Sequence, residues 1–191
     1  MKKTIIIIVL ALLVLLLLAA SWVISSRNSL INQDEAVNLQ WSEIDTQLQR
    51  RSDLIPNLVN TVKGYAAHES EIFTAVADAR SKLIGASTPA EKAGAETAVS
   101  SALSRLLAIA ENYPQLKADS SFVRLQDELA GTENRIAVAR GRYNGAVKNF
   151  NAAIRMFPGS LFAPGLGFSP AEYYEPPAGR AALEQAPEVS F

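Results

Sequence analysis

The sequence predicts an all-α protein: an N-terminal transmembrane helix, an antiparallel bundle of three long helices with a Pro-bent first member, and an irregular Pro/Gly-rich C-terminal tail. Three observations carry that prediction. An uncharged apolar run occupies Ile5 to Ile24, apolar residues then recur at steps of four and three for most of the chain, and six of the nine prolines lie from Pro158 onward. No sustained period-two run stands outside the tail and no Asn-Gly or Asp-Gly turn occurs, so nothing signals strands. With 191 residues and a net charge of −1, the chain suits one medium-sized domain behind its anchor.

At about 1.5 Å per residue, the run marked by Ile5, Leu10, Leu15, Ala20 and Ile24 spans the roughly 30 Å hydrocarbon layer of a bilayer. Lys2, Lys3 and Ala19-Ala20-Ser21 also fit a cleavable signal peptide. Against cleavage, the run continues through Trp22, Val23 and Ile24, with Trp22 where an interfacial aromatic belongs and no Pro or Gly to end the helix. A lipoprotein needs a Cys and the chain has none. Lys2 and Lys3 on one side outweigh Arg27 on the other, so the positive-inside rule predicts a cytoplasmic N-terminus with the bundle outside; with the resemblance given below, the expected location is the bacterial cytoplasmic (inner) membrane.

The first helix of the body follows Val37, Trp41, Ile44, Leu48, Ile55, Leu58, Val62, Tyr65, Ile72, Val76, Ala79 and Leu83, a heptad seam with two charged positions, Arg51 and Glu69. Pro56 removes one backbone hydrogen bond and should bend or interrupt this helix near Ser52 to Ile55. Asn28 to Ala36 hold no Pro or Gly, so the span is expected to run on into this helix, directly or with a slight bend. Thr88-Pro89-Ala90-Glu91 reads as an N-cap, a first-turn Pro and a capping-box Glu opening a second helix. Its face of Ala95, Val99, Ala102, Leu103, Leu106 and Ile109 is small, and Pro114 ends it near Asn112. The third helix opens near Asp119 or Ser120 and steps through Phe122, Leu125, Leu129, Thr132, Ile136, Ala139, Tyr143, Ala146, Phe150, Ala153 and Phe157. Pro158-Gly159 stops it.

The domain reading is therefore an anchor over residues 1–27, a bundle over 28–157 and a tail over 158–191. Phe162, Phe168, Tyr173 and Tyr174 make the tail too aromatic for a disordered linker. Its first half is expected to pack on the bundle or a neighbouring subunit, and its last ten residues to be loose.

Two blocks of residues resemble the LemA family. The first is Trp41-Ser42-Glu43-Ile44-Asp45, Gln47-Leu48, Arg50-Arg51, Asp53 to Val59 and Val62-Lys63-Gly64-Tyr65-Ala66, with His68-Glu69. The second includes Glu111-Asn112-Tyr113-Pro114, Leu116-Lys117-Ala118, Leu125-Gln126, Glu133-Asn134, Ala139-Arg140, Tyr143-Asn144, Asn151, Ile154 and Phe157-Pro158. The resemblance runs from Asn28 to Glu175, with Arg27-Asn28 where the family often has Tyr-Asn. It implies a membrane-anchored antiparallel helical bundle and no particular reaction; relatives are associated with membrane organisation, including magnetosome membranes.

The chemistry-bearing residues point away from catalysis. His68-Glu69-Ser70-Glu71-Ile72 begins like a zinc-protease helix, but Ile72 stands where the second His ligand belongs. One His and no Cys leave a zinc site only carboxylates. They also leave His68 as the only imidazole base for a nucleophile, and Ser70 beside it reads as a solvated helix residue. Glu43, Asp45 and Asp53 read as a polar helix face, and Gly165-Leu166-Gly167-Phe168 lacks the strand and Lys of a phosphate loop. The 18 basic residues, two of them Lys2 and Lys3, face 19 acidic ones, so no stripe exists for nucleic acid. No catalytic, cofactor or metal residues are expected, and no small-molecule substrate.

Arg51 and Glu69 lie about 27 Å apart along one helix and cannot pair with each other unless it is broken. A single buried ion pair or solvent access at a bundle end would satisfy each. Alternatively, Arg51 meets an acidic group on helix three or on a second subunit and sets register. Asn134, Tyr143, Asn144, Asn149 and Asn151 are candidates for core satisfaction, caps or a subunit contact. The expected partners are the lipid bilayer, further copies of the chain in a homo-oligomer, and other membrane proteins. The leading functional expectation is a non-enzymatic scaffold that self-associates; the alternative is an adaptor for extracytoplasmic proteins or peptides, with the aromatic tail as ligand or groove.

Overall fold

The protein is described by a computed structural model over residues 2–175, and the described residues are all-α with no strand. Helix α1 runs from Lys2 to Lys63 without interruption. It is followed by α2 (Ser70–Gly85), α3 (Pro89–Ala110), a single turn α4 (Pro114–Lys117), α5 (Ser120–Arg155) and a short α6 (Gly159–Phe162). A 3-10 turn at Pro164–Leu166 leads into an extended segment ending at residue 175.

The sequence reading places one helix over Val37 to Leu83, and the structure divides it into α1 and α2 at residues 64–69. Gly64, poor in a helix by about 1 kcal/mol relative to Ala, is where α1 ends. Tyr65 and Ala66 both donate back to the Val62 carbonyl, closing the last turn. The step from Val62 through Tyr65 to Ile72 keeps the heptad count across the break, which hides it from a periodicity argument. Tyr65 is consequently 39% exposed rather than in the seam, its hydroxyl donating to Asp119. Glu69 is the N-cap residue of α2, with no capping bond from its side chain, and is not a seam position.

Pro56 does not interrupt α1. Its missing N–H orphans the Ser52 carbonyl, and Arg80 on α2 donates Nε to that oxygen at 2.9 Å. The helix thus crosses its proline because a neighbouring helix supplies the absent donor.

The chain groups into two compact units. In residues 40–144 with 172–175, four helical stretches bury Ile44, Leu48, Ile55, Leu58 and Val62 of α1, Ile72, Val76 and Leu83 of α2, Val99, Leu103 and Leu106 of α3, and Phe122, Leu129 and Ile136 of α5. Each such side chain contributes about 1.5–3 kcal/mol on full burial. Helix α2 packs on α3. The start of α3 has the expected capping box: Glu91 N–H donates to Thr88 Oγ1, and Thr88 N–H to Glu91 Oε2. Asp119 accepts from the Ser121 and Phe122 N–H groups at the start of α5.

In residues 2–39 with 145–171, Leu30, Val37, Val147, Phe150, Ile154 and Ala163 form a smaller core. Here the predicted Phe150 is buried, Val147 and Ile154 take the places predicted for Ala146 and Ala153, and Phe157, beyond the end of α5 at Arg155, is 72% exposed. Phe122, Leu129, Ile136, Tyr143 and Phe150, seven apart, stay buried, and only the alternate positions move on by one residue, as a helix of 3.6 residues per turn drifts by about 20° per heptad against a strict 3.5-residue count. The tail is also more regular at its start than expected, with α6 and the 3-10 turn preceding the extended segment. Residues 182–191, expected to be loose, lie outside the described residues.

From Ile5 to Ile24 every side chain of α1 is exposed, including Ile5, Leu10, Leu15, Ala20 and Ile24, and this is the one described helix long and apolar enough to cross a membrane.

Candidate functional site

The α1 heptad puts Arg51 on the same face as Leu48 and Ile55, inside the bundle, where it is 5% exposed. A buried guanidinium is costly unless paired. Its Nη1 meets Glu133 of α5 at 2.6 Å and lies 3.8 Å from Glu96 of α3, while Nη2 donates to Ser100 at 3.1 Å. Its Nε, also buried, has no hydrogen-bond partner among the described residues. Glu96, 3% exposed, is approached from the other side by Arg140 at 3.5 Å. Two Arg and two Glu from three helices thus balance in charge.

Into this cluster reaches the Tyr174 side chain, 2% exposed, whose hydroxyl donates to Glu96 Oε2 at 2.8 Å. Its ring lies beside Trp41, centroids 6.3 Å apart, and beneath the Arg140 guanidinium at 5.9 Å. Trp41 packs in turn on Tyr143, at 5.5 Å. Burial first, and then the Glu96 carboxylate, push the Tyr174 phenol well above its ordinary range. Tyr143 is raised by burial and then by Glu172.

The backbone carrying Tyr174 is held by side chains rather than by a sheet. The Asn144 carboxamide is both donor and acceptor: its Nδ2 donates to the Tyr174 carbonyl at 3.1 Å, and the Tyr174 N–H donates to its Oδ1 at 2.8 Å. Tyr143 donates to the Glu172 carbonyl at 2.9 Å. Seven residues along α5, Asn151 does the same for Ala171, with bonds of 2.9 and 2.8 Å. Phe168 stands edge-on to Phe150 at 5.4 Å, and Phe162 lies 6.3 Å from Trp22.

Of the residues singled out by sequence, Trp41, Arg51, Tyr143, Asn144 and Tyr174 come together at this cluster. Pro56 and Glu69 do not take part in it, Phe162 and Phe168 belong to the other unit, and Tyr173 is 40% exposed. Asn134 and Asn149 are exposed. Sequence reading missed Glu96, Glu133, Arg140 and Arg80. Glu96 alone carried a signal, since it lies in step with Val99, Leu103 and Leu106, a charge in an apolar register as Arg51 is. Among the described residues no cluster of three or more His, Asp or Glu is placed to hold a metal.

The arrangement can neutralise, orient and retain a chain segment. Known proteins resemble the chain over most of its length. The chain is 29% identical to magnetosome protein MamQ 1 of Paramagnetospirillum magneticum and to magnetosome protein MamQ of Magnetospirillum gryphiswaldense, each match covering 80% of this chain and 66% of the relative. It is 24% identical to protein LemA of Metamycoplasma hominis, over 70% of this chain and 62% of that one. The chain therefore spans just under two thirds of the length of the curated relatives it matches. The sequence model of the LemA family matches residues 40–191, taking in every residue of the Arg51 cluster and the tyrosine it encloses, and the chain belongs to the LemA family.

Proposed function

We propose that this protein is a non-enzymatic, single-pass scaffold of the inner membrane, which self-associates and so organises membrane or membrane proteins. The observation that carries the reading is α1, one 62-residue helix bearing both a fully exposed apolar stretch and the first helix of a bundle. Only a hydrocarbon environment makes an exposed run of twenty uncharged residues, all apolar but Ser21, favourable. The excess of Lys2 and Lys3 over Arg27 supports a cytoplasmic N-terminus with the bundle outside. The core charges are committed to interhelix pairs, which supports structural rather than catalytic work. The magnetosome relatives support the organising role, each being named for a structure rather than a reaction. Particle imaging of the full chain in lipid nanodiscs tests it: multimeric particles are expected, and uniformly single chains overturn the scaffold.

One observation favours a second reading, an adaptor for extracytoplasmic proteins or peptides in membrane-protein quality control or envelope stress. Residues 172–174 are gripped through backbone and ring as a bound peptide would be. A photoreactive group at the exposed Tyr173 separates the two: crosslinks to further copies support the scaffold, and crosslinks to other proteins support the adaptor.

A further inference from the structure

We propose that the corner formed by the end of α5 and α6, residues 156–162, is embedded in the lipid interface, in the same leaflet as Trp22. This rests on the reading of Ile5 to Ile24 as a membrane span and adds a second lipid contact, far along the sequence from it.

Depth is the first argument. Trp22 lies two residues before the end of the apolar stretch, about 3 Å inside it along the helix. The Phe157 ring centroid is 5.7 Å from the Trp22 centroid, and that of Phe162 is 6.3 Å away. Whatever depth Trp22 has, these rings share it to within a side chain's width. A span that places Trp22 in the aromatic belt of the bilayer places the corner there too.

Exposure is the second. Met156 is 65%, Phe157 72% and Leu161 63% exposed, beside Trp22 at 46%. A continuous patch of this kind on a soluble surface is a liability, whereas at the interface it removes apolar area from water. The corner is also tightly built: Gly159 is buried against the Ala153 carbonyl oxygen and Leu30, with no room for a Cβ. The exposed side chains are therefore mounted on a packed turn rather than on a loose loop.

Charge is the third. Residues 145–171 contain Lys148 and Arg155 and no Asp or Glu, and residues 2–33 contain no acid either. Arg27 follows Trp22 by about 7.5 Å along α1, the depth of headgroup phosphates. Beside the ring contact a cleft of about 470 Å³ runs along α1, lined by Trp22 and Met156 and by Ser25, Ser29 and Gln33. With Leu30 among them, these residues offer apolar and hydrogen-bonding groups side by side, the two chemistries that meet at the acyl–headgroup boundary of a phospholipid.

The chain has no Cys, so single cysteines carrying an environment-sensitive fluorophore report depth directly. The full chain is reconstituted into phosphatidylcholine vesicles containing phosphatidylglycerol, with nitroxide lipids as quenchers. Labels go at F157C and L161C, at L15C for the span and at S101C for the exposed face of α3. Several-fold stronger quenching by shallow nitroxides at positions 157 and 161 than at 101 is expected. If 157 and 161 behave like 101 while 15 is quenched by deep nitroxides, the corner lies in water and the proposal fails with the span intact. If position 15 also behaves like 101, the span reading fails and takes this proposal with it. Circular dichroism of each labelled chain, expected to be unchanged, shows that the comparison is between folded proteins.

Discussion

The two units use the same device for opposite ends. In each, an Asn on α5 grips the backbone of the C-terminal segment through both edges of its carboxamide, Asn144 at Tyr174 and Asn151 at Ala171. Around Asn144 the surroundings are a buried, charge-balanced cluster of Arg51, Glu96, Glu133 and Arg140. Around Asn151 they are apolar, with Phe150 against Phe168 in a unit that also exposes Trp22 and Phe157. The gripped segment is thus a common element set in two chemistries: buried charges beside Asn144 need paired partners to offset their lost hydration, while the apolar surroundings of Asn151 need none.

The largest effect is expected from emptying the enclosed site. Tyr174→Ala removes a buried ring and leaves Glu96 short of a donor, so the bundle should lose about 3–5 kcal/mol, read as a fall in melting temperature. An unchanged melting temperature would mean that the segment rests on the bundle without stabilising it. Next, Arg51→Leu leaves Glu96 with Arg140 as its one cation beside the Tyr174 hydroxyl, at a cost of about 3 kcal/mol, while Glu133, partly solvated, suffers little. Following oligomer size in the same variant tests whether Arg51 sets register, an idea to be dropped if neither stability nor size changes.

Replacing the two clamps one at a time sharpens the comparison. Asn144→Ala and Asn151→Ala each delete two hydrogen bonds and should each cost about 2 kcal/mol. Only the first releases Tyr174, so only the first should bring that tyrosine's ultraviolet titration back toward an ordinary phenol.

The smallest effect depends on pH. The Tyr174 phenol is raised in the folded protein from the ordinary value of 10.0, so its contribution is intact below pH 10. Above that pH the unfolded chain loses the proton while the folded chain retains it, and stability should fall by about 1.4 kcal/mol per pH unit. Stability curves of the parent and of Tyr174→Phe should diverge above pH 10; parallel curves would show that the hydroxyl is not held by Glu96.

What the sequence made readable follows from the range of the interaction. The capping box at Thr88 and Glu91 is complete within four residues, and the α3 start was found to the residue. The all-α class follows from seams long enough to average out local exceptions. The register of Arg51 raised an acidic partner on helix three as one alternative to solvent access, but Glu133 sits beside Thr132 off the α5 seam, and nothing local distinguishes it. The break at Gly64 was hidden because its six-residue connection preserves the heptad count. Continuity through Pro56 depends on Arg80, 28 positions from the Ser52 carbonyl it serves, a pairing that exists only once α1 and α2 have packed.

Self-association is the property on which the proposed scaffold depends. Single-molecule photobleaching of the full-length protein, labelled one fluorophore per chain and counted in native membrane vesicles at low density, tests it most directly. Traces with several bleaching steps that persist on dilution of the vesicles are expected. Traces confined to one step, at labelling efficiency verified on a fixed dimer, would contradict it.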